Sequence, residues 1–508
     1  SSDLYVPSYG NLVPRDSANI SLDLAHKKLM VRGIKEVMVS DSLKANFLPS
    51  DSQISFSQGR DFDFKGEIKI GNYRFRGPSF YFNFTNFAVQ FPKIDSITFL
   101  PKNSSHEVGG QFKYEAGSIL LSPPSNKSGR NGIAAYPKLL IPNGVVSYFD
   151  EEWRAQGVYG KKHYFKVPRI ELDSLTQKEI TFQGNFFSDG LLPTLKASLI
   201  LMPDQSFGFQ YTSKAPLDIY KGQAKYTLGA ALTMNRVGLQ SQGTLQYLGL
   251  QAQEKATHFY PDSLISEGSE AKITSVFGGK SIFPEAKIPA HHLRWIPSQD
   301  SLWIQPDKAP ISLFQNQLQL EGRLGMHQKQ VFAQGKMTFN DGVFTGNDFR
   351  MNANSWSGEQ VEMKIGRQMA LFKPAVQAQS VAIDAIVGTG KMTIKPSKGE
   401  ESPIVFPFVA YQSTLKEAVW DTQNQTLKLS GKSGFDMQRW AENDSIIPDQ
   451  SQGLIRANTA EYDLKGQFLS LGGVKEVRSG SSVIYPAKGL LVYKKRVPLN
   501  RFPVRELC

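Results

Sequence analysis

Three times the chain spells the same short phrase: an aspartate, five intervening positions, then apolar–x–apolar–x–Gly. It runs from Asp23 to Leu29-Met30-Val31-Arg32-Gly33, from Asp421 to Leu427-Lys428-Leu429-Ser430-Gly431, and from Asp463 to Leu469-Ser470-Leu471-Gly472-Gly473. The first and third copies agree further, LDLAHKKLMVRGIKEV against YDLKGQFLSLGGVKEV, and both continue into Lys-Glu-Val, at Lys35-Glu36-Val37 and Lys475-Glu476-Val477. Period-two alternation puts Leu29 and Val31 on one face of a strand. The glycine gives a backbone position where that strand can bend, bulge or turn. The pattern predicts Leu29, Val31, Leu427, Leu429, Leu469 and Leu471 buried on one face of β-strands, with Arg32, Lys428 and Ser470 turned outward. Such a unit, repeated, builds length in a β-architecture and is not itself an active site.

A second device punctuates the chain: a residue, usually apolar, then Pro, then in most cases Asp, Ser or Lys. It occurs at Leu48-Pro49-Ser50-Asp51, Leu100-Pro101-Lys102, Met202-Pro203-Asp204, Tyr260-Pro261-Asp262, Gln305-Pro306-Asp307 and Tyr485-Pro486-Ala487-Lys488. Pro presets the turn dihedral and Asp or Ser bonds back to the main chain, so these phrases belong in turns or at strand ends. Looser copies of the glycine phrase fill the middle, at Ile180–Gly184, Leu239–Gly243 and Leu318–Gly322, and Asn340-Asp341-Gly342 signals a tight turn. The 43 glycines, 33 phenylalanines and 18 tyrosines favour strands and turns, and no stretch of ten residues keeps helical apolar spacing. The expected fold is all-β: an elongated body of antiparallel repeats, jellyroll-like, solenoid-like or made of serial β-sandwiches. Pro/Ser/Gly-rich stretches at 122–131 and 395–403 divide it into an aromatic-rich segment, 1–125, a central body, 126–395, and a C-terminal segment, 396–508. In the first, Phe80, Phe82 and Phe84 are expected on one strand face as core.

The formal charge is +12 and the pI about 9.3. The basic residues are dispersed, with Lys161-Lys162-His163 and Lys494-Lys495-Arg496 the densest runs. A dispersed basic surface is mostly a solubilising one, and no zinc spacing, recognition helix or RRM-type aromatic signature points to nucleic acid. The single cysteine, Cys508, excludes an intramolecular disulfide. No apolar run is long enough for a transmembrane helix. The chain starts at Ser1 just ahead of one copy of the phrase and stops soon after another, so a segment of a longer or processed protein is expected.

Searches for chemistry find little. The seven histidines, His26, His106, His163, His258, His291, His292 and His327, include no HExxH spacing. His291 and His292 are adjacent, and in a strand they face opposite sides. Gly278-Gly279-Lys280-Ser281 has Thr274 where a P-loop needs its first glycine, and Gly388-Thr389-Gly390-Lys391 runs into Met392; neither opens a helix. Asp150-Glu151-Glu152 beside Trp153, and Glu267 with Glu270, are the acidic groups that a sugar cleft would use, since glycosidase carboxylates have no sequence spacing of their own. Asn340-Asp341-Gly342 with Asn347-Asp348 offers calcium-type oxygens but no EF-hand spacing. The expectation is no catalytic residue, no metal and no cofactor.

In phrasing, NFAVQFPKIDSITFLP (Asn86–Pro101), SPPSNKSGRNGIAAYPKLL (Ser122–Leu140), LMPDQSFGF (Leu201–Phe209), LQSQGTLQYLGLQAQ (Leu239–Gln253) and EYDLKGQFLSLGGVKEVRSGSSVIYPAKG (Glu461–Gly489) resemble very long cell-envelope proteins of Bacteroidota. The closing copy is also similar to the open β-jellyroll repeats of lipopolysaccharide-transport and AsmA-like proteins. The resemblance implies an envelope location, periplasmic or extracellular and associated with the outer membrane, and a structural, assembly or lipid- or glycan-handling task. The leading expectation is a non-enzymatic scaffold or interaction segment. Its partners would be other envelope proteins or flanking domains of the same polypeptide, with anionic lipid or glycan as a further class. Its rivals are an amphiphile-conducting β-groove and a glycan-binding or glycan-active module. Open β-repeats leave unpaired edges, so Val483–Tyr493 is expected to be covered by another chain or domain.

Overall fold

The computed structural model describes residues 19–100, 107–114, 116–128, 130–175, 181–277, 280–367, 374–399, 402–440, 454–479 and 482–494. These form 45 strands and six single-turn 3-10 segments, with no α-helix among the described residues. The strand pairs are antiparallel. The fold is all-β. The chain divides into two compact units, one of Ser1–Gly243 with Thr257–Pro261, the other of Thr244–Ala256 with Asp262–Cys508.

The first unit opens with β1 (Ile20–Asp23), β2 (Lys28–Arg32), β3 (Val37–Ser40), β4 (Ala45–Pro49), β5 (Gln53–Phe56), β6 (Phe62–Ile70), β7 (Tyr73–Asn83) and β8 (Ala88–Phe91). Hairpin β1–β2 is extended by β5 on the far side of β2. The intervening β3–β4 hairpin leaves and returns. One long strand, β6, serves both excursion and return: Ala45–Pro49 pairs with Ile70–Gly66, and Ser55-Phe56 with Asp63-Phe62. At the crossing point Gly66 has φ 140°, and a Cβ there would lie 2.1 Å from the Leu48 carbonyl oxygen. Only glycine lets β6 pass from one partner to the other.

Alternation along these strands turns a set of rings inward. Phe47 stacks on Phe64 with centroids 5.1 Å apart and meets Phe82 edge-on at 5.6 Å; Phe62 lies 5.0 Å from Phe82. Phe47, Phe62, Phe64, Phe80 and Phe82 are all buried. Each such ring contributes about 1.5–3 kcal/mol by leaving water. Phe84 departs from expectation. β7 ends at Asn83, so Phe84 is a turn residue whose N–H donates to Asp61 Oδ1 at 2.7 Å. Pro78 sits within β7, between the part paired with the strand Ser96–Phe99 (Tyr73–Arg76) and the part paired with β8 (Tyr81–Asn83). Its missing N–H therefore interrupts neither of those ladders.

The second unit contains β9 (Leu250–Phe259) as far as Ala256, then β10 (Leu264–Ile273) and β11 (His291–Ile296). A run of long hairpins, Leu318–His327, Gln330–Phe339, Gly342–Met351, Ser355–Arg367 and Pro374–Ile386, follows. Trp295, Trp356 and Trp420 fill this unit's interior at 0–1 % exposure. Trp356 is ringed by Phe344 at 5.2 Å, Phe349 at 6.0 Å and Phe339 at 6.1 Å. The unit closes with β12 (Glu417–Asp421), β13 (Thr426–Arg439), β14 (Ile455–Asp463), β15 (Phe468–Gly472), β16 (Val477–Ser479), β17 (Ser482–Ile484) and β18 (Leu491–Lys494).

The proline phrases fall where a missing donor is tolerated. Pro203 and Pro261 lie in a turn and a bend, Pro49 and Pro306 end strands, and Pro486 precedes the 3-10 turn Ala487–Gly489. Pro101 lies outside the described residues, as does Gly278-Gly279.

Candidate interaction surface

The aspartate that opens each phrase is the cap of a four-residue hairpin loop. Asp23 pairs across the loop with Lys28, Asp421 with Thr426 and Asp463 with Phe468. Its carboxylate accepts the N–H three residues on: His26 at 3.0 Å, Asn424 at 2.9 Å and Gly466 at 2.6 Å. The loop's last residue is left-handed each time, at Lys27 (φ 53°), Gln425 (φ 57°) and Gln467 (φ 54°). The constant spacing is thus loop geometry. Backbone N–H donation, from His26 and Asn424 respectively, holds the Asp23 and Asp421 carboxyls below the usual aspartate range. Asn83 builds the same loop, accepting from Asn86 N–H at 2.7 Å ahead of left-handed Phe87. The sequence reading sought an acid and passed over it; Asn in place of Asp was the available signal.

Val31, Leu427, Leu429, Leu469 and Leu471 are buried in strands, as alternation predicts. Lys428 is exposed, and Arg32 and Ser470 are partly so. Leu29 is the exception at 36 % exposure.

The first and third copies match well beyond the phrase. Gly33 (φ 85°) and Gly473 (φ 73°) end β2 and β15. The next residue's N–H then donates to a returning loop, Ile34 to Ser52 O at 3.0 Å and Val474 to Gly489 O at 3.0 Å. Each acceptor closes a proline turn, Ser52 N–H donating to Pro49 O and Gly489 N–H to Pro486 O. Each turn delivers a strand to the hairpin's second strand, β5 to β2 and β18 to β15, with Ile54 opposite Val31 and Leu491 opposite Leu471. The glycine phrase and the proline phrase are therefore parts of one motif. The middle copy departs from it, because Gly431 stays inside β13.

Equivalence exposes a difference in cover. Counting back from the proline turns, Ile484 stands where Phe47 stands and Ser482 where Ala45 stands. Phe47 and Ala45 are fully buried in a strand paired with β6, while Ile484 is 52 % exposed. At the hairpin the asymmetry reverses. Tyr462 and Leu469 are fully buried, with Tyr462 stacked on Phe406 at 5.3 Å. Their counterparts Leu22 and Leu29 are 60 % and 36 % exposed. Of the sixteen exposed large apolar residues among the described residues, nine belong to these two motifs: Leu22, Leu24, Leu29 and Met38 in one, Val483, Ile484, Tyr485, Leu490 and Val492 in the other.

The groups singled out for chemistry are placed otherwise. His291 and His292 do face opposite sides: His291 is buried, and His292 is exposed near Asp307 (3.4 Å) and Glu267 (3.9 Å). His291 Nδ1 bonds the Pro289 carbonyl at 2.7 Å, and its Nε2 lies 3.5 Å from Oε1 of Glu254, also fully buried. Gly268 makes the room, since a Cβ there would meet the imidazole at 2.4 Å. Burial works to lower the His291 pKa, but the Glu254 carboxylate, the Pro289 carbonyl and Asp307 outweigh it and raise it. Period-two alternation from Leu250 points Glu254 inward, a signal that the sequence reading did not use. Glu151 is engaged by Arg154 at 2.8 Å, and Arg154, wholly buried, also donates to the Asn235 and Phe207 carbonyls. That acidic cluster anchors a loop. Gly388 lies in a 3-10 turn between strands. Among the described residues no group of three His, Cys, Asp or Glu is placed to hold a metal ion. A cleft of about 510 Å³ is lined by Gln377, Gln412 and Trp440, with Glu362 as its one carboxylate among the described residues, paired to Lys364 at 2.6 Å.

No helix among the described residues is long and apolar enough to cross a membrane. No protein-family model and no curated protein matches the chain.

Proposed function

We propose that the chain is a non-enzymatic scaffold segment of a large cell-envelope protein, a repeat architecture whose end motifs bind further protein. The observation that carries this reading is the concentration of exposed apolar side chains on the two matching motifs, with Leu22, Leu29 and Ile484 at positions that the other copy keeps buried. Equivalent positions that are buried in one copy and bare in the other call for a cover of the same kind. The envelope location and the outer-membrane association rest on the phrasing resemblance.

An amphiphile conduit is less well supported, because the inward faces are filled: phenylalanines pack on one another in the first unit, and three tryptophans fill the second. A glycan-active module needs two carboxylates at a cleft, and among the described residues the cleft at Trp440 has Glu362 alone, already in an ion pair.

Fractionation of producing cells, combined with extraction of the purified protein for acyl lipid, tests the reading. The expected result is recovery with the envelope and no stoichiometric lipid. A stoichiometric acyl chain on the protein, or recovery outside the envelope, would overturn it.

A further inference from the structure

We propose that the edge formed by β17 and β18 is a strand acceptor, taking one extended segment of a partner polypeptide in the place that β6 holds beside β4 and β5. The inference rests on the scaffold reading and specifies how one of its surfaces works. Its ground is an occupied copy of the same site in the same chain.

In the first motif β6 pairs with the excursion strand along Ala45–Pro49 and with the return strand at Ser55-Phe56. With β6 in place, β4 alternates between buried and half-buried residues. In the last motif the corresponding strand β17 pairs with β16, and β18 with β15; among the described residues neither has a second neighbour. Without that strand all three residues of β17 are exposed. The outward positions of the return strand differ too. Gln53 and Ser55 in the first motif correspond to Leu490 and Val492, 56 % and 45 % exposed. A bare, apolar edge is a template for an added antiparallel strand, with main-chain bonds giving affinity and alternate side chains giving specificity.

The occupied copy also sets the partner's chemistry. β6 presents Phe62, Phe64, Ile68 and Ile70 inward at alternate positions, with Gly66 where it crosses between partners. The acceptor should take a segment of about nine residues with that alternation and a central glycine. The sequence after Lys494 carries Pro498 and Pro503, each without the N–H that a ladder uses, whereas β6 has no proline. Residues 495–508 are thus a poor match to β6, and the strand is assigned to a segment other than these, on a partner polypeptide.

The test uses the whole 508-residue chain and a labelled peptide of the Asp61–Ile70 sequence, DFDFKGEIKI, followed by fluorescence polarisation and amide exchange. The expected result is saturable one-to-one binding and at least about tenfold slower exchange confined to residues 482–494, on the scale of strand addition. Binding should weaken by at least about tenfold for the Ile484→Lys chain and for a peptide with Phe64→Lys and Ile68→Lys, each being one or two misplaced charges on the pairing face. A melting curve shows that Ile484→Lys is folded. Unchanged exchange at 482–494, or binding indifferent to Ile484→Lys, would overturn the proposal. Self-association that protects 482–494 and excludes the peptide would overturn the assignment to a partner polypeptide. If the peptide fails while Tyr485 still cross-links to protein in cells, the scaffold reading stands and the strand acceptor falls.

Discussion

Glu254 and His291 show how a β-interior tolerates ionisable groups. Both side chains are fully buried, and neither Glu254 oxygen has a hydrogen-bond partner among the described residues. Each side chain depends on the other. The His291 pKa is raised in the folded state, so the pair's contribution to stability is complete below the ordinary histidine value and is lost as pH rises through the folded value. Replacing Glu254 by Gln should cost on the order of 3 kcal/mol at pH 6, as removal of one member of a buried pair does, and clearly less at pH 9. Urea unfolding of both proteins at the two pH values checks this; equal losses would mean that the imidazole is not charged at pH 6. Gly268 belongs to the same cluster. Gly268→Ala should destabilise by about 1–3 kcal/mol through overpacking against His291, measured in the same titration.

At the scale of the element, one motif can be read twice with different surroundings. Phe47 and Ile484 occupy equivalent positions, so their costs of truncation should differ chiefly by cover. Phe47→Ala should lose about 3–5 kcal/mol, and Ile484→Ala within about 0.5 kcal/mol, by chemical unfolding of the isolated chain. Near-equal losses would mean that the equivalence is false. The cap is a smaller quantity: Asp463→Ala should cost about 1 kcal/mol, one hydrogen bond to the Gly466 N–H. Most of this level was legible. Spacing gave the strands, the glycine exits and the proline turns, because each is a local consequence of residue type. That Pro49 and Gly33 belong to one motif was not legible, because the bond from Ile34 to Ser52 joins segments about twenty residues apart with no shared signature. Leu29 was misjudged for the same reason: alternation says which way a side chain points, not whether anything lies there.

For the whole molecule, the all-β class followed from glycine and aromatic content with period-two alternation, while function did not follow from any motif. The candidate surface was legible in part. Val483–Tyr493 could be read as a strand run with few charges, yet what marks it as unfinished is the comparison with β4 and β6, which needs pairing registers. The most direct measurement of the central claim is site-specific photo-cross-linking in the producing cell. A photoreactive residue at Ile484, Tyr485 or Leu490 is compared with one at Val237 or Ile386, which are exposed to a similar degree elsewhere. The account predicts a discrete protein adduct from the first three sites and none from the controls. Bare sites at 484–490, or the same diffuse pattern from both sets, would contradict it.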